Sequence, residues 1–370
     1  MHVLPLRNRT LREFRVSFTL LMVCASFLAR QYAGAHTPVS DSLVLPQEVH
    51  LSNIRQLTFG GENAEGYFSF DERRLIFQAT HEPRTCDQQY IMNLSDGTFE
   101  MVSTGKGRTT CGYFLPGDTT VLFASTHAAN PACPPVPDHS QGYVWAIYPT
   151  YDIYVTSDKG TGMKPLAAAP GYDAEATVSP TGDRIVFTST RDGDLDLYSM
   201  DLDGSNVRRL TNELGYDGGA FYSWDGKMLV YRAWHQTDSA AAAAYRRLLG
   251  QNLVKPSRME LFVMNADGSG KRQITNNGAA NFAPFFHPDN KHIIFASNVS
   301  DPRGRNFDLY MIGVDGQGLT RITFNNTFDG FPMFTRDGKH LVFASNRNAK
   351  VQGETNLFIA DWVTTPATVK

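Results

Sequence analysis

Three histidines and two arginines carry the side chains best suited to chemistry in this chain: His81, His127, His235, Arg191 and Arg347. Each stands twelve residues after a turn-entry residue, these being Ser69, Leu115, Ser223, Ser179 and Thr335; Val299 holds the same place after His287. Neutral imidazoles drawn from different units can converge on a divalent metal, and guanidinium groups fork onto carboxylates. His81, His127 and His235 are therefore the candidate metal ligands, with Arg191 and Arg347 as carboxylate readers. A second set lies six residues before the same turns: Asn63, Thr109, Asp173, Asp217, Asn281 and Asp329. With Glu65 and Glu175 close by, it reads as a net-acidic ring for a cation or a basic peptide segment. The same residue types also close Asx turns on neighbouring backbone, the structural alternative.

Equivalent positions require equivalent units. Eight residues after the six turn entries stand Phe77, Phe123, Phe187, Tyr231, Phe295 and Phe343, and a second aromatic follows at Tyr90, Tyr154, Tyr198, Phe262, Tyr310 and Phe358. An apolar residue comes twelve further on at Val102, Leu166, Leu210, Ile274 and Ile322. Asp-Gly turns such as Asp225-Gly226, Asp267-Gly268 and Asp337-Gly338 mark hairpins between these runs. Four short antiparallel strands repeated six times specify an all-β fold, a six-bladed β-propeller of four-stranded blades. The sixth copy lacks its fourth strand. Residues 54–59, which repeat the Arg-x-Leu-Thr pattern, should supply it and close the ring.

The copies differ in one place. The two aromatics are 31 residues apart in the second and fourth units and 11 to 15 apart elsewhere. Both insertions join second to third strands and so rise from one rim, the rim that also carries the acidic ring and the His/Arg set. The first contains His139, Trp145 and Tyr148; the second follows Trp234 and His235 and includes a short helix around 240–249. Long loops on a rigid scaffold are where ligands are met. The expected binding surface is therefore this rim and channel mouth, with Trp145 and Trp234 as aromatic anchors.

The unit Thr177–Phe187 (TVSPTGDRIVF), with Asp196-Leu-Tyr198 and Arg208-Arg-Leu-Thr211, resembles the PD40, or WD40-like, repeats of the TolB family, over about residues 54–362. The resemblance implies a six-bladed propeller in the bacterial periplasm, associated with the Tol-Pal system of the cell envelope. TolB proper carries an α/β domain ahead of its propeller, for which residues 36–53 are too few, so the resemblance bears on fold more than on a Tol-Pal role. In residue type alone, the histidine set is also similar to the oligogalacturonate lyases, propeller enzymes with clustered histidines and a manganese ion.

Composition narrows the classes. The chain has 370 residues, 42% hydrophobic and 12% aromatic, with a formal net charge of -3, which argues for a globular protein and against nucleic acid as partner. Arg7, Arg9, Arg12 and Arg15 precede an apolar run over 16–29 and a small-residue site at Ala33-Gly34-Ala35, the pattern of a signal peptide over 1–35 cleaved near Ala35. That run is too short to span a membrane. A periplasmic or secreted monomer follows, with a lead at 36–53, the propeller at 54–362 and a tail at 363–370. One disulfide is expected among Cys86, Cys111 and Cys133, a zinc site on all three plus a histidine being the alternative. The motifs G-x-S-x-G, H-E-x-x-H, G-x-x-x-x-G-K-[ST] and C-x-x-C are absent. The reading is a non-enzymatic module for a protein or peptide ligand, without a cofactor. The alternative is a metal-dependent lyase or hydrolase of an anionic saccharide at the same face, using His81, His127 and His235.

Overall fold

The computed structural model describes residues 43–364 apart from 141 and 303. The expected signal peptide at 1–35, the first part of the lead (36–42) and most of the tail (365–370) lie outside these residues. Six four-stranded antiparallel sheets and one two-stranded ribbon form among them. The third blade is the plainest unit: Asp173–Val178, Arg184–Ser189, Asp196–Asp201 and Arg208–Arg209, paired in that order. Its turns follow from local chemistry, as Gly182 at φ 73° accepts the left-handed conformation that a hairpin needs. The first aromatic of each repeat is fully buried between sheets: Phe77, Phe123, Phe187, Tyr231, Phe295 and Phe343 are all 0% exposed. Burying one such side chain contributes about 1.5–3 kcal/mol, which is why this position never lapses.

The ring closes as expected but earlier in the chain. The closing strand is Leu51–Gln56, antiparallel to Asn356–Trp362, with an irregularity between Ser52 and Arg55. Ile54 faces the core at 1% exposure, and Leu57 and Thr58 continue as a loop whose backbone and hydroxyl bond to Leu357. The apolar Arg-x-Leu-Thr signal thus marks the end of the strand and its exit. Ahead of it, buried Glu48 accepts from the Arg347 guanidinium at 2.9 Å and fastens the lead to the last blade.

Each innermost strand carries the same irregularity. The pairing register slips between Ala64 and Tyr67, Thr110 and Tyr113, Ala174 and Thr177, Gly218 and Phe221, Phe282 and Phe285, and Gly330 and Met333. At each slip one residue has a left-handed backbone: Glu65, Cys111, Glu175, Gly219, Ala283 and Phe331, with φ from 46° to 58°. Five of the six are not glycine, at a cost of about 1–2 kcal/mol each. Because every blade has it, this bulge is a device of the fold that re-aims a side chain at the axis.

Candidate functional site

Two residues beyond five of the six bulges, Tyr67, Tyr113, Phe221, Phe285 and Met333 fill the axis, the third blade having Thr177 there, with Tyr67 and Tyr113 rings 5.6 Å apart, Tyr67 and Phe221 5.5 Å, and Phe221 and Phe285 5.3 Å. The channel is therefore blocked on the side away from the insertions. On the insertion side it opens into a cavity of about 940 Å³.

The two insertions build its wall together. Trp145–Ala146 from the second blade pairs antiparallel with Leu253–Val254 from the fourth, and Ile147 N–H donates to Asn252 O at 2.8 Å. Between them the helix Ser239–Leu249 begins at Asp238, whose carboxylate accepts from Ala241 N–H, and its Tyr245 hydroxyl donates to Gly215 O. The helix near 240–249 is as the sequence indicates; the ribbon joining distant blades is not visible in it. Cys86 and Cys133 form the disulfide, tying the first insertion to the first blade, and Cys111 is free. This resolves the cysteine alternatives in favour of a disulfide and against a site on all three.

The chamber floor is made by bulge residues. Glu65 Oε2 accepts from Cys111 N–H at 3.0 Å, and Gln78 Oε1 accepts from Thr110 Oγ1 at 2.9 Å. Resting on the aromatic plug and largely shielded from water, the half-buried Glu65 carboxyl is pushed up to about 7, with Glu175 adding repulsion. The same burial, with Glu65 nearby, raises the Cys111 thiol, so it stays protonated at neutral pH and is no nucleophile.

Across the floor, Glu175 is paired with Arg232, and it also accepts from Thr188 Oγ1 at 2.7 Å and Gly219 N–H at 3.0 Å. The Arg232 guanidinium lies over Trp145, Tyr216 and Phe282 at 5.3, 5.5 and 6.0 Å from their centroids. Gly219 makes this possible, since a Cβ there would stand 2.1 Å from Arg232 Nη1. Above, Phe307, Phe328 and Phe331 give an aromatic wall, and Arg108 pairs with Asp87 at 2.8 Å near the edge. The chamber can enclose an amphipathic group: its walls are aromatic, and most of its charges are already paired.

The sequence-derived ring and rim are something else. Asn63, Thr109, Asp173, Asp217, Asn281 and Asp329 are all 0% exposed, so they do not encircle an open mouth. Each N–H donates to a carbonyl of the preceding blade: to Thr355, Asp87, Tyr151, Leu195, Met259 and Phe307 respectively, at 2.7–3.1 Å. These are the seams of the propeller, and burial is their physical reason. The three aspartate side chains are held by residues expected to form the rim, while Asn63, Thr109 and Asn281 donate to backbone carbonyls of Thr355, Asp87 and Met259. Arg191 pairs with Asp173 at 3.0 Å, Arg347 with Asp329 at 3.1 Å and His235 with Asp217 at 2.9 Å.

The three histidines do not converge. His81 packs on Tyr90 and Phe99, His127 on Tyr154 with Nδ1 2.9 Å from Ser125 Oγ, and His235 on Phe262, each within its own blade. Among the described residues the one group with metal-ligand spacing is Glu213, Asp217 and His235. Trp234 meets Arg258 at 6.0 Å instead of the chamber.

Of the expected site residues, the chamber gathers Glu65, Glu175, Thr109 and Trp145. Sequence reasoning missed Arg232, Gln78, Cys111, Tyr216 and the phenylalanine wall. A signal existed for Arg232: nine residues after the turn entry the other units have Gln78, Ala124, Thr188, Ala296 and Ala344, so a lone arginine in an inward strand position stands out.

Glu65 keeps its proton to a higher pH in the folded chain than its ordinary value near 4.5, so between about pH 4.5 and 7 the native state holds more protons than the unfolded one. Its contribution is intact below that window and is lost as pH rises through it. Glu65→Gln should therefore gain stability over the parent on moving from pH 5 to pH 8, by on the order of 2 kcal/mol. Urea unfolding of both proteins at the two pH values checks this; parallel pH profiles would contradict it.

Comparison with known proteins agrees with the architecture. The family model for the TolB beta propeller domain, PD40, matches residues 146–253 and 246–352, together more than half of the chain. A TolB homologue of Chlorobium chlorochromatii is 26% identical over 140 residues, which covers 31% of each protein. The chain spans about a third of the length of the curated relatives it matches. A putative TolB from Agrobacterium tumefaciens superposes with a TM-score of 0.56 at 17% identity, over 84% of this chain and 94% of that one. An oligogalacturonate lyase from Vibrio parahaemolyticus does so with a TM-score of 0.51 at 12% identity, over 85% and 94%. Likeness at these identities is one of fold. With six blades in register, a bulge at the same place in each and a family model matching most of the repeats, the chain belongs to the TolB β-propeller domain family.

Proposed function

We propose that this protein is a non-enzymatic binding module that takes a segment of a protein partner into the chamber between the paired insertions, acting as a monomer in the periplasm or after secretion. The observation that carries it is the ribbon of Trp145–Ala146 with Leu253–Val254, which turns two loops into one wall around about 940 Å³. That volume takes a few side chains of a peptide, and a pre-formed wall spares the ligand the ordering cost of closing loops. Affinity would come from aromatic burial on Trp145, Phe282 and Phe331, because Glu175 and Arg108 already have their counter-charges. Glu65 supplies an acceptor for a donor on the segment. The Cys86–Cys133 disulfide suits an oxidising compartment, and no helix among the described residues is long and apolar enough to cross a membrane. A role in the cell envelope, which the resemblance to the TolB family implies, fits this reading.

The saccharide-lyase alternative needs His81, His127 and His235 on one ion, and their separate blade environments speak against it. The test is photo-crosslinking from a probe at exposed Tyr143 on the wall, against envelope extract. Trp145→Ala should reduce capture of a partner at least tenfold while leaving the melting temperature within a few degrees. Equal capture by both proteins, or metal-dependent cleavage of oligogalacturonate by the parent, would refute the proposal.

A further inference from the structure

Three blades place an aspartate in the seam ring, and two of them neutralise it with a fixed positive charge, Arg191 on Asp173 and Arg347 on Asp329. The fourth blade does not. Asp217 is fully buried, yet its partner at the arginine position is His235, whose Nε2 lies 2.9 Å from Asp217 Oδ1. Asp217 Oδ2 has no hydrogen-bond partner. A second carboxylate is brought to the same place by Glu213, ten residues before the turn entry, where the fifth and sixth blades have Asn277 and Asn325. Those asparagines bond to their own ring residues, Asn277 to Asn281 at 3.2 Å and Asn325 to Asp329 at 3.5 Å, so this position reaches the ring by construction. In the fourth blade it reaches the ring with a negative charge.

The structure assigns a divalent-cation site to Glu213, Asp217 and His235 at the root of the second insertion. We propose that it takes Zn²⁺ or Mn²⁺. One ligand atom from each residue lies within 4.8 Å of the others, the separation that shared coordination needs. An imidazole nitrogen with two carboxylates selects a borderline transition ion over Mg²⁺ or Ca²⁺, which favour all-oxygen sets. The ion would supply the counter-charge that arginine supplies in the two other aspartate blades. Lys271, whose ammonium is 3.0 Å from both Glu213 oxygens, competes for the same carboxylate. His235 ends the strand Met228–His235, directly before the insertion, so the ion pins that loop where it leaves the blade.

The blades themselves provide variants that should fold. Val299 stands in the fifth blade where His235 stands in the fourth, and Asn281 where Asp217 stands, so the double variant His235→Val/Asp217→Asn copies an arrangement the propeller already uses. Isothermal titration of the tag-free mature protein with zinc chloride and, separately, manganese chloride is the test, with circular dichroism confirming fold. One equivalent should bind, with affinity at least 100-fold weaker in His235→Val/Asp217→Asn and in Glu213→Gln. Lys271→Ala should bind about tenfold more tightly. The proposal is overturned if the parent binds neither metal at millimolar concentration, or if His235→Val/Asp217→Asn binds as the parent does. It is equally overturned if binding is lost in His292→Ala, since His287, Asp289 and His292 form a separate group away from the ring.

Discussion

Arg232→Leu is expected to lower the unfolding free energy by about 3–5 kcal/mol, read from urea denaturation. Both members of the Arg232–Glu175 pair are only 11% exposed, so removing the guanidinium leaves a carboxylate in a place with little water. Glu175 would then depend on Thr188, the Tyr216 hydroxyl and Gly219 N–H. The guanidinium also lies over three ring faces, each worth about 0.5–2 kcal/mol when desolvated. The double variant Arg232→Leu/Glu175→Gln should recover most of the carboxylate part of the loss, because no uncompensated charge remains. Gly219→Ala should be destabilised for a related reason, its Cβ meeting Arg232 in a backbone conformation with φ 58°. If Arg232→Leu stayed within 1 kcal/mol of the parent, the pair would not be the organising contact of the chamber floor.

The second large effect concerns the disulfide. Replacing both Cys86 and Cys133 with serine frees a loop of 47 residues, and the chain-entropy model assigns such a cross-link about 4 kcal/mol. The melting temperature should fall by roughly 5–10 °C in calorimetry. The insertion it anchors contributes Val136, Pro137, His139 and Tyr143 to the chamber. Partner capture should therefore weaken even at temperatures where the double variant is folded. Cys111→Ser serves as the control, since Cys111 takes no part in the bridge. A double variant melting with the parent would mean that the bridge does not form.

These contacts show why the fold was readable from the chain and the site was not. The aromatics at Phe77, Phe123 and their four counterparts repeat because every sheet must bury the same face, and that demand is local to each hairpin. The insertions were visible as a length difference between Phe123 and Tyr154 and between Tyr231 and Phe262. Their mutual pairing was not, since residues 146 and 253 belong to different blades and share no sequence signal. Burial inverted the reading of the Asp/Asn ring. Asp173 and Arg191 looked like two parts of a ligand surface and are partners of one another, because the first and second strands of a blade bring them side by side.

From the sequence alone come the six-fold repeat, the four-stranded blade, the closure by an N-terminal strand and the rim that carries the long loops. Each follows from side-chain periodicity and turn residues acting over a few positions. The tertiary structure alone decided what lines the channel. The register slip in every inner strand swings one residue, at Glu65, Cys111 and Glu175 among others, toward the axis, and an alternating in-and-out pattern cannot foretell that turn. It likewise decided that Arg232 crosses above Gly219 to reach Glu175 in the preceding blade, since a contact between blades depends on how the sheets pack around the ring.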